Sequence, residues 1–314
     1  MLWFALWLPL LLQFAVPLAL LAGVAYAGTT RVIWIALVGL TGVYVAAISL
    51  AGLWLVLPWW LPNLYVAGLL AGVARAWPRA TPLERPSSVR GWLMLAAIAF
   101  PALVAAVIVM LALEAREPSS DAVDLRFPLG PGSYLVANGG NDTLVNAHLS
   151  TLKGERVRAY RGQSFGVDIV RVNRAGFRTL GWLPADPAAY AIFGTAVRAP
   201  CAGRVVAVVD GAPDMPPPET DPAHMAGNHV ILDCSGTWVV LGHLERGSVA
   251  VGAGEDVAAL APLGRVGNSG NTSEPHLHVH AQRPGTAAEP LGGEPVPIRL
   301  DGEYLVRNDR VTTK

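Results

Sequence analysis

From Val32 to Ala74 the sequence contains no charged residue, and this run restricts the fold more than any other feature. A hydrocarbon core of about 30 Å takes about 20 apolar residues per helix, so the run is too long for one membrane helix and suits two. Pro58-Trp59-Trp60-Leu61-Pro62-Asn63 lies near its middle and reads as the turn, since proline breaks helices and tryptophan favours the headgroup level. Trp3 to Ala27 makes a span before it and Gly91 to Leu113 one after it, with a kink expected at Pro101. The expectation is a multi-span α-helical membrane region over 1–113, with spans at 3–27, 32–57, 60–76 and 91–113. Three spans is the alternative, because the piece after the turn is short enough to be re-entrant.

Charge sets the orientation. The chain balances 23 basic against 23 acidic residues, but up to Leu113 only Arg31, Arg75, Arg79, Glu84, Arg85 and Arg90 are charged. Four arginines against one glutamate between Arg75 and Arg90 place that loop on the cytoplasmic side. The last span then leads outward, and everything after Glu114 lies outside, periplasmic or extracellular, in a multi-pass membrane protein. Ala25-Tyr26-Ala27 looks like a signal-peptidase site, yet Met1-Leu2-Trp3-Phe4 offers no positive leader and the apolar run exceeds a normal signal core. The reading is an uncleaved anchor.

A polar linker, 114–124, opens the second part, and 125–314 reads as an all-β domain with an antiparallel sheet. Helical periodicity stops there. Short apolar runs recur between Gly, Pro, Asn and Asp: Ser133 to Val136, Phe165 to Val170, Gly203 to Val209, His229 to Leu232, Thr237 to Leu241, and His276 to His280. Asp210 to Met225 reads as a surface loop, and Pro184 to Val197 as a short helix or irregular loop. No internal repeat and no basic cluster suggestive of nucleic acid is present. Cys201 and Cys234 form no C-x-x-C. A disulfide and two buried thiols both remain open.

All seven histidines lie in this half. Side chains two apart on a strand share a face, so His276, His278 and His280 point one way and Leu277 and Val279 the other. Imidazoles so placed can reach one ion or its bound water. His243 ends an apolar strand. Asp168 sits inside another, where a carboxylate needs a cation, an arginine or a metal, as partner.

Leu241-Gly242-His243-Leu244, Gly264 to Gly270 and Pro275-His276-Leu277-His278 together resemble the lysostaphin-type (LytM, M23) zinc metallopeptidase family. Ala199 to Val206 and Gly227 to Val230 fit the same pattern, and the resemblance covers roughly 160–282. It implies one zinc on an antiparallel β scaffold and cleavage of peptide bonds in bacterial cell-wall peptidoglycan. By position it makes His278 and Asp168 zinc ligands, and His243 and His276 the catalytic pair that positions water and stabilises the transition state. The family's first ligand is the histidine of His-x-x-x-Asp, where this chain has Ser164. Some relatives pair an upstream Asn-x-His with a histidine-less Asp strand. Asn146-Ala147-His148 matches that arrangement, making His148 the expected third ligand on a strand following the Gly139-Gly140 turn. His224, His229 and no third ligand stay open, and His280 is expected to hydrogen-bond to a site residue.

The function implied is a membrane-anchored zinc endopeptidase with peptidoglycan peptides as substrate and the lipid bilayer as its other partner. No protein partner can be named from the sequence. The alternative is an inactive module of the same fold that binds peptidoglycan or regulates another hydrolase, motivated by Ser164. A biotinyl-type carrier is excluded, because the only lysines, Lys153 and Lys314, are not at a hairpin tip.

Overall fold

In a computed structural model, residues 7–8, 10–26, 30–77 and 85–314 are described. The beginning of the first expected span, the end of the Ala25-Tyr26-Ala27 motif and residues 78–84 of the arginine-rich loop lie outside these residues. The chain divides into two compact units, Met1–Leu113 and Glu114–Lys314.

Among the described residues the first unit holds four helices: α1 (Leu11–Ala25, opening with a π-helical turn), α2 (Arg31–Ala51), α3 (Leu61–Ala76) and α4 (Val89–Glu114). Among the described residues, α2 and α4 are long and apolar enough to cross a membrane, and α1 is a shorter apolar helix. The expected second span is cut short: α2 ends at Ala51 and Gly52 turns to an extended conformation. The reversal therefore precedes the expected Pro58–Asn63 turn. Leu61, Pro62 and Asn63 instead begin α3, with Pro62 in the first turn, where its missing N–H leaves no bond unmade. Buried Gln13 satisfies the backbone at the reversal, donating to the Leu53 carbonyl at 3.2 Å and accepting from the Leu53 N–H at 3.0 Å. Trp34 donates to the Val24 carbonyl at 2.9 Å, and Tyr65 to that of Gln13 at 2.7 Å. Pro101 lies inside α4.

The second unit is mostly antiparallel β. Its strands are β1 (Val123–Leu125), β2 (Gly132–Asn138), β3 (Val167–Arg171), β4 (Ala196–Arg198), β5 (Gly203–Val209), β6 (Asn228–Cys234), β7 (Thr237–Leu244), β8 (Asp256–Val257), β9 (Pro262–Arg265), β10 (Leu277–Gln282), β11 (Pro295–Val296), β12 (Ile298–Leu300) and β13 (Arg310–Thr313). The main sheet runs β13-β2-β3-β10-β7-β6-β5-β8, with β11 also on β10. Two small pairs, parallel β1-β12 and antiparallel β4-β9, flank it. Its core is built from Val136, Ile169, Leu232, Leu241, Leu277 and Val279 with their neighbours. Each expected strand overlaps an observed one, β5 residue for residue. The segment 184–197 holds only a 3-10 turn, Pro187–Ala189, and the start of β4.

The order of this sheet positions the site. Central β10 pairs antiparallel with β3 on one side and β7 on the other, so His278 lies opposite both Asp168 and Gly242. Directly opposed residues on adjacent strands bring their Cβ atoms to about 5 Å. A cross-link between Cys201 and Cys234 ties the residue two before β5 to the last of β6, settling the cysteines as a disulfide.

Three local expectations change. His148 is not on a strand but in a 3-10 helix, Ala147–Leu152, whose N-cap is Asn146. Phe165 ends a second 3-10 stretch, Glu155–Phe165, and β3 starts only at Val167. His276 lies just before β10, since Pro275 and the turn ahead of it delay ladder pairing.

Candidate metal centre and its histidines

Asp168 is the hub. It is buried on β3, and three imidazoles converge on its carboxylate. His278 Nδ1 lies 2.8 Å from Oδ1, His276 Nε2 3.4 Å from Oδ1, and His148 Nε2 3.4 Å from Oδ2. The fourth neighbour is Asn138, whose amide donates to Oδ2 at 2.9 Å. Burial by itself would raise the Asp168 pKa. The adjoining His148 and His276 charges and the imidazole hydrogen bonds outweigh it and hold the carboxyl well below its usual range.

One donor atom from each of His148, Asp168 and His278 falls within 4.8 Å of the others. Zinc–ligand bonds of about 2.0–2.2 Å in a tetrahedron separate ligand atoms by about 3.3–3.6 Å, so this set needs little movement to close on an ion. Two imidazoles and one carboxylate also match zinc in chemical type and number, leaving a position for water or substrate. The residues present fit the metal.

The orientation of His148 supports that fit. Asn146, fully buried, accepts at Oδ1 from the His148 backbone N–H at 3.2 Å and faces its Nδ1 at 2.9 Å. Since Oδ1 can only accept, Nδ1 carries the proton and Nε2 presents a lone pair toward Asp168. Burial lowers the His148 pKa to about 4 against the pull of Asp168, so the ring is neutral near pH 7. The amide of Asn146 meanwhile donates to the Gly140 and Gly166 carbonyls at 3.0 and 3.2 Å.

Ser164, at the position where the resemblance expects a ligand, is fully buried and turned to another task. Its Oγ is 2.7 Å from the Arg161 carbonyl and 2.8 Å from Thr151 Oγ1, which is itself 2.7 Å from the His148 carbonyl. The serine thus braces the helix that carries His148. Gly166 is glycine for a steric reason: a Cβ there would meet His278 Cε1 at 2.6 Å.

His243 and His276 face each other at 4.8 Å between ring centroids. Each has its Nδ1 on a carbonyl, His243 on Ser269 at 2.9 Å and His276 on Glu274 at 2.9 Å, so both carry the proton on Nδ1, and the Nε2 of His276 faces Asp168. His243 reaches this pose through a left-handed backbone (φ 60°), uncommon outside glycine. Burial and the neighbouring His276 and His278 hold its pKa well below the ordinary value. Burial acts downward on His276 too, but the Asp168 charge and hydrogen bond prevail and raise it.

The remaining histidines are placed as follows. His280 is buried behind His278, its Nδ1 2.9 Å from His278 Nε2. His229 is buried on β6 with Nδ1 on the Gly227 carbonyl at 2.8 Å, and His224 sits in the loop 2.7 Å from Asp221 Oδ2. Neither belongs to the three-residue cluster. Sequence reasoning missed Asn138, since an Asn ending an apolar strand carries no distinguishing signal. It also missed the Arg178–Glu274 ion pair (2.7 Å), which fixes the turn before His276.

A mostly antiparallel sheet thus carries a His/Asp cluster able to hold a metal ion at its centre. Residues 188–290 match the profile of peptidase family M23, and the chain carries a peptidase family M23 domain there. His243, His276 and His278 fall inside the matched segment; His148 and Asp168 precede it. No curated protein sequence matches the chain.

Solved structures with a similar fold include a zinc-containing peptidase from Vibrio cholerae, at 18% identity and TM-score 0.23, covering 37% of this chain and 46% of that one. The catalytic domain of lysostaphin from Staphylococcus simulans aligns at 16% identity and TM-score 0.26, covering 53% and 84%. A SpoIIIAH–SpoIIQ complex aligns at 18% identity and TM-score 0.30, covering 53% and 97%. The chain spans only 46% of the Vibrio peptidase and 37% of the lysostaphin chain solved by NMR. Overlaps of this quality carry no argument about activity.

Proposed function

We propose that the chain is a membrane-anchored zinc endopeptidase that cuts peptide bonds of bacterial cell-wall peptidoglycan on the non-cytoplasmic side. The observation that carries this reading is the convergence of His148, Asp168 and His278 donor atoms within 4.8 Å, beside the His243–His276 pair, in a chain with an M23 domain. His148, Asp168 and His278 hold the metal, with His148 standing in for the histidine that Ser164 replaces. The Cys201–Cys234 disulfide favours an oxidising compartment, which suits a domain outside the cytoplasm. The apolar helices α2 and α4 support anchoring, and the four-span topology with the arginine-rich loop inside belongs to this proposal.

Zinc, when bound, supplies Lewis acidity toward a carbonyl oxygen and acidifies water. The chain's own residues handle protons and orientation. With Nδ1–H anchored on Ser269, His243 offers its Nε2 lone pair to take a proton from the attacking water. His276, anchored on Glu274 through Nδ1, directs Nε2 into the site, where it stabilises the oxygen on which negative charge develops. The two imidazoles, 4.8 Å apart, flank the position the reacting groups would take.

The test is digestion of purified peptidoglycan by the full-length protein in detergent, with and without zinc. New amino termini that appear only with zinc, and vanish in His243→Ala, are expected. Zinc binding without cleavage would leave the regulatory or peptidoglycan-binding module as the function.

A further inference from the structure

Arg307 lies beyond the matched segment, in the turn before β13, yet it reaches the ligand carboxylate through one intermediary. Its Nη2 donates to Asn138 Oδ1 at 2.9 Å, and Asn138 Nδ2 donates onward to Asp168 Oδ2 at 2.9 Å. The guanidinium also donates to the carbonyls of Ala137 (Nε, 3.0 Å) and Leu144 (Nη1, 2.8 Å). One fork therefore joins the end of β2 to the turn that leads into Asn146 and His148.

We propose that Arg307 and Asn138 are positioning residues for the metal, acting as a single relay that holds Asp168 in its ligating orientation. This rests on the three-ligand site proposed above. An amide can bind in either of two orientations, and only the groups around it decide. Asn138 Oδ1 faces Arg307 Nη2 and, at 3.4 Å, the Ala147 N–H, both of which can only donate. Nδ2 is thereby turned to Asp168. In the reverse orientation an amide oxygen would oppose the carboxylate and push it off the ligand position. Partners of this kind, one bond removed from the metal, are worth about 10–100-fold in metal affinity.

The turn does not depend on the guanidinium for its own shape. Main-chain bonds stitch it to β2, Asn308 N–H to Val136 O at 2.9 Å and Val136 N–H to Asp309 O at 3.0 Å, and Asp309 Oδ2 accepts the Val306 N–H at 2.9 Å. Side-chain variants at 307 should keep the fold.

The experiment is competitive zinc titration of full-length wild type, Asn138→Leu, Arg307→Lys, Arg307→Gln and the Asn138→Leu/Arg307→Lys pair, with melting of the zinc-free proteins alongside. Each single variant is expected to weaken zinc about 10–100-fold, and the pair no more than its weaker member, because both act through one bond. Unchanged affinity in Asn138→Leu or Arg307→Lys, or multiplicative losses in the pair, overturns the relay while leaving the three-ligand site standing. Tighter binding in Arg307→Gln with no change in Arg307→Lys would show a bare charge effect and overturns it equally. No zinc in the wild type overturns the site itself.

Discussion

Asn146 and His148 form one unit: Asn146 Oδ1 stands 2.9 Å from His148 Nδ1, and the far nitrogen of the same ring stands 3.4 Å from Asp168 Oδ2. The asparagine selects the tautomer, and the tautomer aims the lone pair. Replacing Asn146 with alanine also strips a donor from the Gly140 and Gly166 carbonyls, each exposed to a loss of about 1–3 kcal/mol if left buried and unpaired. Asn146→Ala should weaken zinc by about 10–100-fold and lower the melting temperature. Isothermal titration and a thermal scan of the same sample check both.

His243 and His276 should behave in the opposite way. Neither is in the three-donor cluster, so His243→Ala and His276→Ala are expected to retain stoichiometric zinc. Loss of a positioned proton-transfer group costs about 10²–10⁴-fold in rate. Cleavage assays on zinc-loaded protein give the measurement. Loss of metal in either variant would contradict the division of roles.

How much of this was legible in the sequence depends on the range of the interaction. β5 was readable to the residue because an apolar run bounded by Gly203 and Asp210 needs no distant information. His276 and His278 could be placed together, and Asp168 marked as needing a partner, from alternation and the cost of burying charge. The 3-10 conformation of His148 was not readable, since it follows from Asn146 capping backward while Gly140 and Gly166 pin the amide. Arg307 and Asn138 are 169 residues apart, and nothing local announces their bond. In the helical unit, the early end of α2 reflects Gln13 satisfying Leu53, again a long-range contact.

Gly166 provides a steric prediction. Its side-chain position is occupied by the edge of the His278 ring at 2.6 Å, a group that cannot swing away while it is packed on Asp168 and His280. Gly166→Ala should displace His278 and destabilise the domain by about 1–3 kcal/mol. Chemical denaturation of wild type and variant measures it, and an alanine tolerated with unchanged zinc affinity would count against the geometry.

The zinc-free protein should lose stability in mild acid. Burial lowers the His148 pKa from 6.5 to about 4, and His243 and His280 also lie well below the ordinary value through burial and neighbouring imidazoles. As pH falls below 6.5 the unfolded chain takes up these protons first, so stability drops between about pH 6.5 and 4. Buried His229, also lowered, adds to the decline, whereas His276, raised by the Asp168 charge against its burial, changes its contribution only above pH 6.5 and is level below it. Asp168, whose folded pKa is depressed, contributes fully above 3.8 and loses its contribution only in stronger acid. A melting series from about pH 6.5 to 4 should show a monotonic decline, shallower in His148→Leu.

The central claim is that His148 completes a zinc site from which the usual ligand is missing, and zinc content tests it most directly. Full-length protein is purified in detergent, reconstituted with zinc, freed of excess and measured by elemental analysis beside His148→Ala. The account predicts about one zinc per chain in the wild type, the three-ligand stoichiometry, and loss of that zinc in the variant. Equal zinc in both, or none in the wild type, would contradict it.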